Sequence, residues 1–291
     1  MGLGRVILVV SLVLFLIPVI ILFLATTGML PSTAPSQSTP AVEVTNEPAG
    51  IYYDFNSPQT TAIAGYYCIY QAQVANTGWL VNNQGQQTTT LQCTTMPGSC
   101  TYQPNPASYH PPGYSIQLNA LLSNGLYVQN MYGTAWEVNS IPLLEEQVYN
   151  SGQALSTITG PPASKCGWLI ISIRNGIAYF GYSGDGVHVT WYANYTVGNA
   201  TIEPGFETNL VIAGPGNGAG VNFTNLYVVL ALWYWDGSAW VPAQTYVAGD
   251  NPGTAEFVTN AWVYNYNNTA IVTWPKPTNQ SVLVPTPEFK P

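Results

Sequence analysis

The 291-residue chain carries only 5 basic and 13 acidic residues, which gives a formal net charge of -8 at pH 7 and an isoelectric point near 4.4. So few basic residues exclude a nucleic-acid-binding surface, because such a surface needs a basic field along the phosphates. The chain also lacks the bases for many stabilising ion pairs, so we predict either a protein that works in acid or a glycosylated surface protein at any pH.

The chain begins with an apolar segment that predicts a membrane span. Val6–Ala25 has no formal charge and, as a helix, is long enough to cross a hydrocarbon core of about 30 Å. Arg5 precedes this segment and the next basic residue is Lys165, so the positive-inside rule places the remainder outside the cell. We predict that residues 1–30 are an uncleaved single-pass anchor at the cell surface, with a cleaved signal segment or a pilin-like filament helix as alternatives.

Three regions of different composition follow the apolar segment. Residues 31–45 are a Ser/Thr/Pro-rich stretch that cannot bury a core and predicts an extended stalk. Residues 46–274 consist of short β-rich runs separated by turn dipeptides, and residues 275–291 form a Pro-rich tail. The middle region is therefore the predicted ectodomain.

Turn dipeptides between β-rich runs predict the fold of this ectodomain. Asn175-Gly176, Asp185-Gly186 and Asp236-Gly237 each join two such runs, as expected for antiparallel hairpins. Three hairpins predict an all-β fold, an antiparallel β-sandwich or two abutting sandwiches. Only Ile141–Tyr149 is predicted to form a helical turn.

The four cysteines lie outside the membrane in this topology, where disulfides persist. Cys93 and Cys100 flank a turn-rich segment and are predicted to close a small loop, which leaves Cys68 to pair with Cys166. No Cys-x-x-Cys spacing is present, and His110 and His188 are more typical of surface or packed residues than of ligands. We predict no metal and no cofactor.

Glycosylation acceptors are concentrated in the last third of the chain, where glycans would help to hydrate a surface poor in charge. The predicted acceptors are Asn194, Asn199, Asn222, Asn267 and Asn279.

Motifs for other chemistries are missing or incomplete. There is no Gly-x-Ser-x-Gly elbow, and Gly214–Gly220 lacks the Lys-Ser/Thr of a phosphate-binding loop, so this segment is predicted to be a tight loop between strands. Carboxylate chemistry remains, in which two acids divide the acid and base roles. Among the acids, Asp185 and Asp236 are predicted turn residues, and Glu145 and Glu146 are predicted to be solvated.

Several segments share their order with the blocks of a known family. They are EPAGIYYDF (47–55), YSIQLN (114–119), YVQN (127–130), LSTITG (155–160), NLVIAGPGNGAG (209–220), VVLALWYWDGSAWVP (228–242) and GDNPGTAE (249–256). In this order they resemble the P-x-G-I-x-D-Y-G, S-x-Q-L-N, W-V-Q-N, I-S-x-I-x-G, E-L-V-x-G-G-P-G-G-G, L-x-L-Y-Y-x-x-G and G-x-D-T-x-E-T blocks of the thermopsin family, the acid-active peptidases of thermoacidophilic archaea. The resemblance implies an extracellular, aspartic-type endopeptidase whose partner is an unfolded polypeptide substrate.

Mapped onto this chain, the resemblance places the acid of the first block at Asp54 and that of the last block at Glu256. We predict these two as the catalytic pair, one ionised to activate water and the other protonated, with Glu137 as a third candidate. Asn209 stands where the family block has an acid. If that acid is catalytic in the family, this chain is a non-catalytic, glycosylated surface or filament subunit that binds copies of itself.

Overall fold

The computed structural model describes residues 40–88, 100–104, 112–138, 141–248, 254–276 and 282–291, without the side chains of 135–138 and 141. The predicted membrane segment and most of the predicted stalk lie outside these residues. No helix within the described ranges is long and apolar enough to cross a membrane.

The described residues form an all-β fold of antiparallel sheets, as predicted, with one short parallel pair between residues 220–221 and 257–258. One sheet has twelve strands, and its central path runs β1-β18-β19-β14-β3-β10-β11-β12, with β4, β5, β15 and β17 attached to β3 or β14. Its strands are β1 (Val42–Val44), β3 (Ala62–Asn82), β4 (Gln87–Thr88), β5 (Cys100–Pro104), β10 (Cys166–Arg174), β11 (Ile177–Ser183), β12 (Thr190–Thr196), β14 (Gly220–Trp235), β15 (Trp240–Pro242), β17 (Phe257–Val258), β18 (Ala261–Tyr266) and β19 (Thr269–Trp274).

The second sheet has seven strands in the order β16-β2-β13-β6-β7-β8-β9. Its strands are β2 (Ala49–Tyr53), β6 (Ser115–Leu121), β7 (Leu126–Val138), β8 (Ile141–Asn150), β9 (Gln153–Pro162), β13 (Gly205–Ala213) and β16 (Thr245–Ala248). The twelve-stranded and seven-stranded sheets share one large apolar core, so the fold is a β-sandwich.

Alternation along the seven-stranded sheet divides its residues between two faces. Ile116, Leu118, Val128, Leu144 and Leu210 are fully buried and belong to the shared core. Their neighbours in sequence point to the opposite, outer face, because successive side chains of a strand alternate. This outer face carries the candidate site.

The predicted hairpins are present. The β10–β11 hairpin turns at Asn175 and Gly176, both with positive φ (51° and 76°), which is the conformation a type I′ turn requires. The pairs β11–β12 and β14–β15 complete the set, and residues 214–219 form the predicted loop between β13 and β14.

The helical turn predicted at Ile141–Tyr149 was wrong, because this segment is part of strand β8 and pairs with β7 and β9. Leu143-Leu144 and Glu145-Glu146 each place two identical residues side by side, so the sequence does not show the apolar–polar alternation that is typical of a strand. In the strand, one member of each pair points into the core and the other to the outer face.

The predicted long-range disulfide is present. Cys68 of β3 and Cys166 of β10 are register partners and are bonded across 98 residues of sequence. A bond across so long a loop restricts the unfolded chain strongly. Cys100 is also disulfide-bonded, and its predicted partner Cys93 lies outside the described residues.

The end of the Pro-rich tail lies against the outer face of the twelve-stranded sheet. The Phe289 ring is buried beside Trp168 and Trp240, with ring centroids 5.8 and 5.6 Å away. The backbone amide of Glu288 donates to Gly186 O at 2.8 Å, and the indole Nε1 of Trp240 donates to Phe289 O at 2.7 Å. The tail therefore contributes to the stability of this sheet.

Replacing Trp240 with Phe is expected to lower the free energy of unfolding by about 1 kcal/mol, because it removes the indole donor to Phe289 O. Chemical denaturation of the full chain measures this change. In a chain that ends before residue 282 the same substitution should have no effect, and an equal loss in that chain would contradict the assignment.

Candidate functional site

A row of register partners crosses the outer face of the seven-stranded sheet from one edge to the other. From β16 to β9 the row is Tyr246, Tyr52, Asn209, Asn119, Gln129, Gln147 and Thr157. The β16 end is aromatic, the centre consists of amides, and the β8–β9 end is polar. An outer sheet face normally contacts water, yet Asn209, Asn119 and Gln129 are buried, so other segments cover the centre of the row.

The central amides form one hydrogen-bonded network. Asn119 Nδ2 donates to Asn209 Oδ1 at 2.9 Å, and Gln129 Nε2 donates to Asn119 Oδ1 at 2.9 Å. Gln117 Nε2 donates to Ser115 Oγ at 2.9 Å, and Ser115 Oγ donates to Gly214 O at 2.7 Å. These bonds satisfy polar groups that would otherwise be costly to bury, and they fix the positions of the amides.

A cleft of about 870 Å³ opens above this network. Its floor includes Gln117, Gln129 and Met131, and Glu145, Gln147 and Tyr149 of β8 form one side. Gly216–Gly218 and Thr254–Glu256 form the other side, with Glu207 also at the cleft. The cleft therefore brings together three carboxylates, several side-chain amides and two tyrosines, which is the mixture expected of a polar binding site.

Three side chains of β8 make a hydrogen-bonded chain along the cleft. The Tyr149 hydroxyl donates to Gln147 Oε1 at 2.5 Å, and Gln147 Nε2 donates to Glu145 Oε1. These residues are spaced by two, so all three lie on the same face of the strand. Glu145 is only 7% exposed, and burial raises the pKa of its carboxyl although the Gln147 donor acts in the opposite direction.

Glu256 lines the same cleft as this hydrogen-bonded chain. Its Oε1 accepts a hydrogen bond from the Gly218 backbone amide at 2.9 Å, and its Oε2 accepts one from the Thr254 hydroxyl. The Gly218 amide can point at the carboxylate because the loop turns through positive φ at Asn217 (55°) and Gly218 (73°). The glycine-rich loop thus positions an acid and not a phosphate.

Two tyrosines line the cleft together with the three carboxylates. Tyr127 and Tyr149 are register partners with ring centroids 6.5 Å apart. Burial first, then the charges of Glu256 and Glu207, raise the pKa of Tyr127 well above its usual value. Burial, then Glu256 and Glu145, raise the pKa of Tyr149. The charge of Glu256 therefore acts on both rings.

Of the two acids predicted from the sequence, one belongs to the cleft lining. Glu256 lines the cleft, whereas Asp54 follows β2 and is 3% exposed. Asp54 Oδ1 accepts hydrogen bonds from the backbone and side chain of Asn56, at 3.2 and 3.3 Å, which is the geometry of a turn residue. Glu137 lies in β7, but its side chain is outside the described residues. Asn209, where the family block has an acid, belongs to the amide network.

The prediction that Glu145 and Glu146 are solvated was wrong. Glu145 is the buried acid of the cleft, and Glu146 is fully buried on the opposite face of β8, between the sheets. Asp185 and Asp236 do occupy turns. The His188 side chain first, then the backbone amides of His188 and Val187, lower the pKa of Asp185, and the backbone amides of Ala239 and Ser238 lower that of Asp236.

The other predicted residues that the structure describes are not part of the cleft lining. Asn194, Asn199 and Asn267 are exposed, Asn222 is half-buried, and Asn279 lies outside the described residues. His188 is exposed and its Nδ1 is 2.7 Å from Asp185 Oδ2, whereas His110 is not described. Within the described ranges, no group of three or more His, Cys, Asp or Glu residues is arranged to hold a metal ion.

Sequence reasoning missed Glu145, Glu207 and the amide network. The available signal was a two-residue alternation of polar side chains at 115, 117 and 119 and again at 145, 147 and 149. That pattern indicates a polar sheet face but does not show that loops cover it.

No model of a known protein family matches this chain, and no curated protein matches it in sequence.

Proposed function

We propose that this protein is a thermopsin-like acid endopeptidase, tethered outside the cell, that cleaves unfolded polypeptide. The observation that carries the proposal is the cleft that Glu145 and Glu256 line together, with Gln147 hydrogen-bonded to both Glu145 and Tyr149. An acid peptidase needs two carboxyl groups in different environments. Glu145 is buried in the sheet face, and Glu256 is half-buried on a loop.

In the proposed mechanism Glu145 is the acid and Glu256 is the base. Burial favours the protonated form of Glu145, and the Gln147 donor occupies Oε1, which leaves Oε2 to carry the proton. Glu256 is held by the Gly218 amide and the Thr254 hydroxyl, donors that suit a carboxylate anion.

Each proton has a defined path in this scheme. Glu256 takes a proton from water as the water oxygen bonds to the carbonyl carbon, and Glu145 gives its proton to the carbonyl oxygen. In the second step the C–N bond breaks, the leaving nitrogen takes the proton held by Glu256, and a hydroxyl of the intermediate returns a proton to Glu145. The products are a carboxylic acid and an amine, and both glutamates regain their starting states.

The amide floor supports binding of a polypeptide. Gln117 and Gln129 line the cleft, and carboxamides can donate to peptide carbonyls and accept from peptide amides. Their positions are fixed by the Ser115–Asn119–Asn209 network, so little side-chain entropy is lost when substrate binds.

The direct test is an assay of the full chain in detergent with a denatured protein as substrate between pH 2 and 8. New amino termini are expected in acid, and their rate of formation should fall towards neutral pH as Glu145 loses its proton. Glu288→Gln removes an exposed carboxylate of the tail and is a matched control that should retain the rate. If no new termini form at any pH, the proposal fails and the non-catalytic surface subunit is favoured.

A further inference from the structure

Four aromatic rings cluster at the β16–β2–β13 end of the outer face. We call Tyr52, Phe55, Phe206 and Tyr246 the aromatic end. The Tyr52 centroid lies 4.6 Å from that of Phe206 and 5.8 Å from that of Tyr246, and the Phe55 and Phe206 centroids are 4.7 Å apart. Phe55 and Tyr246 are nevertheless 53% and 47% exposed. Exposed rings that already contact each other form an apolar surface that can bind the apolar groups of a ligand.

The backbone holds this cluster in place. Tyr246 and Tyr52 are register partners, and β13 has a bulge between Gly205 and Asn209 that carries Phe206. Gly205 has a φ of 137°, and a Cβ at this position would lie 3.0 Å from the Phe55 ring. Strands β2, β13 and β16 therefore fix the positions of the rings.

The aromatic end adjoins the cleft at the β13 bulge, where Phe206 is followed directly by Glu207, an exposed residue that lines the cleft. Tyr246 and Tyr52 also begin the cross-strand row that reaches Gln129 and Gln147, although the centre of that row is covered by other segments. Strands are spaced by about 4.8 Å, so β8 lies roughly 14 Å from β13 and about 19 Å from β2 along the row. An extended polypeptide covers these distances with about four to six residues, at about 3.3 Å per residue.

We propose that the aromatic end is a distal substrate subsite, which binds apolar side chains of an extended polypeptide about four to six residues from the bond in the cleft. This proposal rests on the proposed endopeptidase function and adds a sequence preference at a distance from the cleaved bond. An endopeptidase of this kind favours long chains over short peptides, because only long chains reach both the cleft and the aromatic end.

The chemistry of the aromatic end favours a polypeptide over a glycan or a lipid surface. The rings are tilted or edge-on to each other, with interplanar angles from 32° to 87°, which leaves gaps for side chains and not one flat platform for sugar rings. Burial first, then the charge of Asp54, raises the pKa of Tyr52, and Glu207 follows Phe206 in the sequence. Acidic neighbours repel an anionic membrane and attract a polypeptide whose basic residues are charged in acid.

The test uses full-chain protein and fluorogenic peptides that share one sequence around the cleaved bond. A single Phe or Ser is placed at each position from two to eight residues away, on either side. We expect Phe to raise kcat/KM about ten-fold at one or more positions four to six residues away. Phe55→Ala and Tyr246→Ala should each reduce the ratio of kcat/KM between the Phe and Ser peptides towards one. Neither substitution should change kcat/KM for peptides too short to reach the aromatic end. Tyr70→Ala removes a ring that is 56% exposed on the other sheet and serves as the matched control.

A binding assay separates failure of the subsite from failure of the proposed catalysis. Fluorescence anisotropy measures the affinity of Glu145→Gln full-chain protein for the labelled Phe and Ser peptides, whether or not wild-type protein cleaves them. Tighter binding of the Phe peptide that is lost in Phe55→Ala supports the subsite. Equal affinity for both peptides, a preference unchanged by both substitutions, or ring-dependent binding of oligosaccharide or anionic vesicles in place of peptide would overturn it.

Discussion

Glu145→Gln and Glu256→Gln are each expected to lower kcat/KM for acid hydrolysis of denatured protein by about 10³-fold or more, equivalent to about 4 kcal/mol of transition-state stabilisation. Gln has nearly the same shape as Glu but can neither give up nor accept the proton that each step transfers. Because the two groups act in one proton cycle, the double variant should be little worse than either single variant. Steady-state kinetics at the acid optimum measure these changes.

Asp54→Asn is the decisive comparison for this assignment. The structure places Asp54 in a turn after β2 and outside the cleft lining, so its replacement should leave the rate within a few-fold of wild type. Glu288→Gln controls for loss of an exposed charge. A large loss in Asp54→Asn together with normal activity of Glu145→Gln would restore the pair predicted from the sequence and remove Glu145 from the mechanism.

A substitution of Gln147 tests the hydrogen-bonded chain from Tyr149 through Gln147 to Glu145 without changing either acid. Gln147→Leu removes the donor to Glu145 Oε1 without touching either acid, and it leaves Tyr149 without its acceptor. The Gln147 donor opposes the effect of burial on the pKa of Glu145. Its loss should therefore raise that pKa further and move the neutral limb of the pH–rate profile to higher pH. An unchanged limb would show that Glu145 does not govern the rate.

Local signals predicted most of the fold. Asn175-Gly176 and Asp236-Gly237 determine their turns within a few residues, because positive φ has a steric cost for other residue types. The Cys68–Cys166 disulfide was predicted because Cys93 and Cys100, which are close in sequence, were assigned to each other. By contrast, the strand at 141–150 could not be recognised, because both of its faces are buried and its sequence does not alternate.

The site was only partly predictable, for a physical reason. Glu256 was predicted through the family-like block, but the residues that line the cleft beside it depend on which strands become neighbours. Glu145 and Glu256 line one cleft because β8 follows β6 and β7 in the sheet and the loop after β13 contributes to the same cleft. These are non-local pairings, which no window of sequence contains. Glu145 and Glu146 were predicted to be solvated because they are charged, and the sequence does not show which segments cover β8.

A second acid connects the site strand to the interior of the sandwich. Glu146 is fully buried opposite Asn130, its register partner in β7. Asn130 Nδ2 donates to Ile170 O and Gly181 O of the other sheet, both at 2.9 Å, and Asn130 Oδ1 accepts from the Tyr192 hydroxyl at 2.8 Å. Ser156 Oγ donates to Glu146 Oε2 at 3.0 Å, whereas the buried Oε1 has no hydrogen-bond partner among the described residues.

Wild-type protein is therefore expected to be more stable near pH 4 than near pH 8, by on the order of 2 kcal/mol, because an incompletely solvated buried carboxylate is costly to ionise. Burial raises the pKa of Glu146 above its unfolded value, against the smaller opposing effects of hydrogen bonds from Ser156 and from the Ile158 backbone, and the charge of Glu145 adds a little to the rise. The folded state thus binds more protons than the unfolded state between these two pKa values. Stability is fully present below the unfolded pKa and is lost as pH rises through the folded one. Asp185 and Asp236 act in the opposite sense, so stability should decline again below about pH 4.

Glu146→Gln tests this explanation, because the variant cannot ionise at position 146 and should lose most of the decline between pH 4 and 8. Urea unfolding of the full chain at each pH gives the profile, and Glu288→Gln, which removes an exposed acid, should leave it unchanged. Glu145 also has a raised pKa from burial, so Glu145→Gln should remove a further part of the decline. Protonated Glu145 would then support catalysis in acid, and protonated Glu146 would stabilise the folded protein under the same conditions. A profile that rises from pH 4 to 8, or one that Glu146→Gln does not flatten, would contradict an acid-adapted interior.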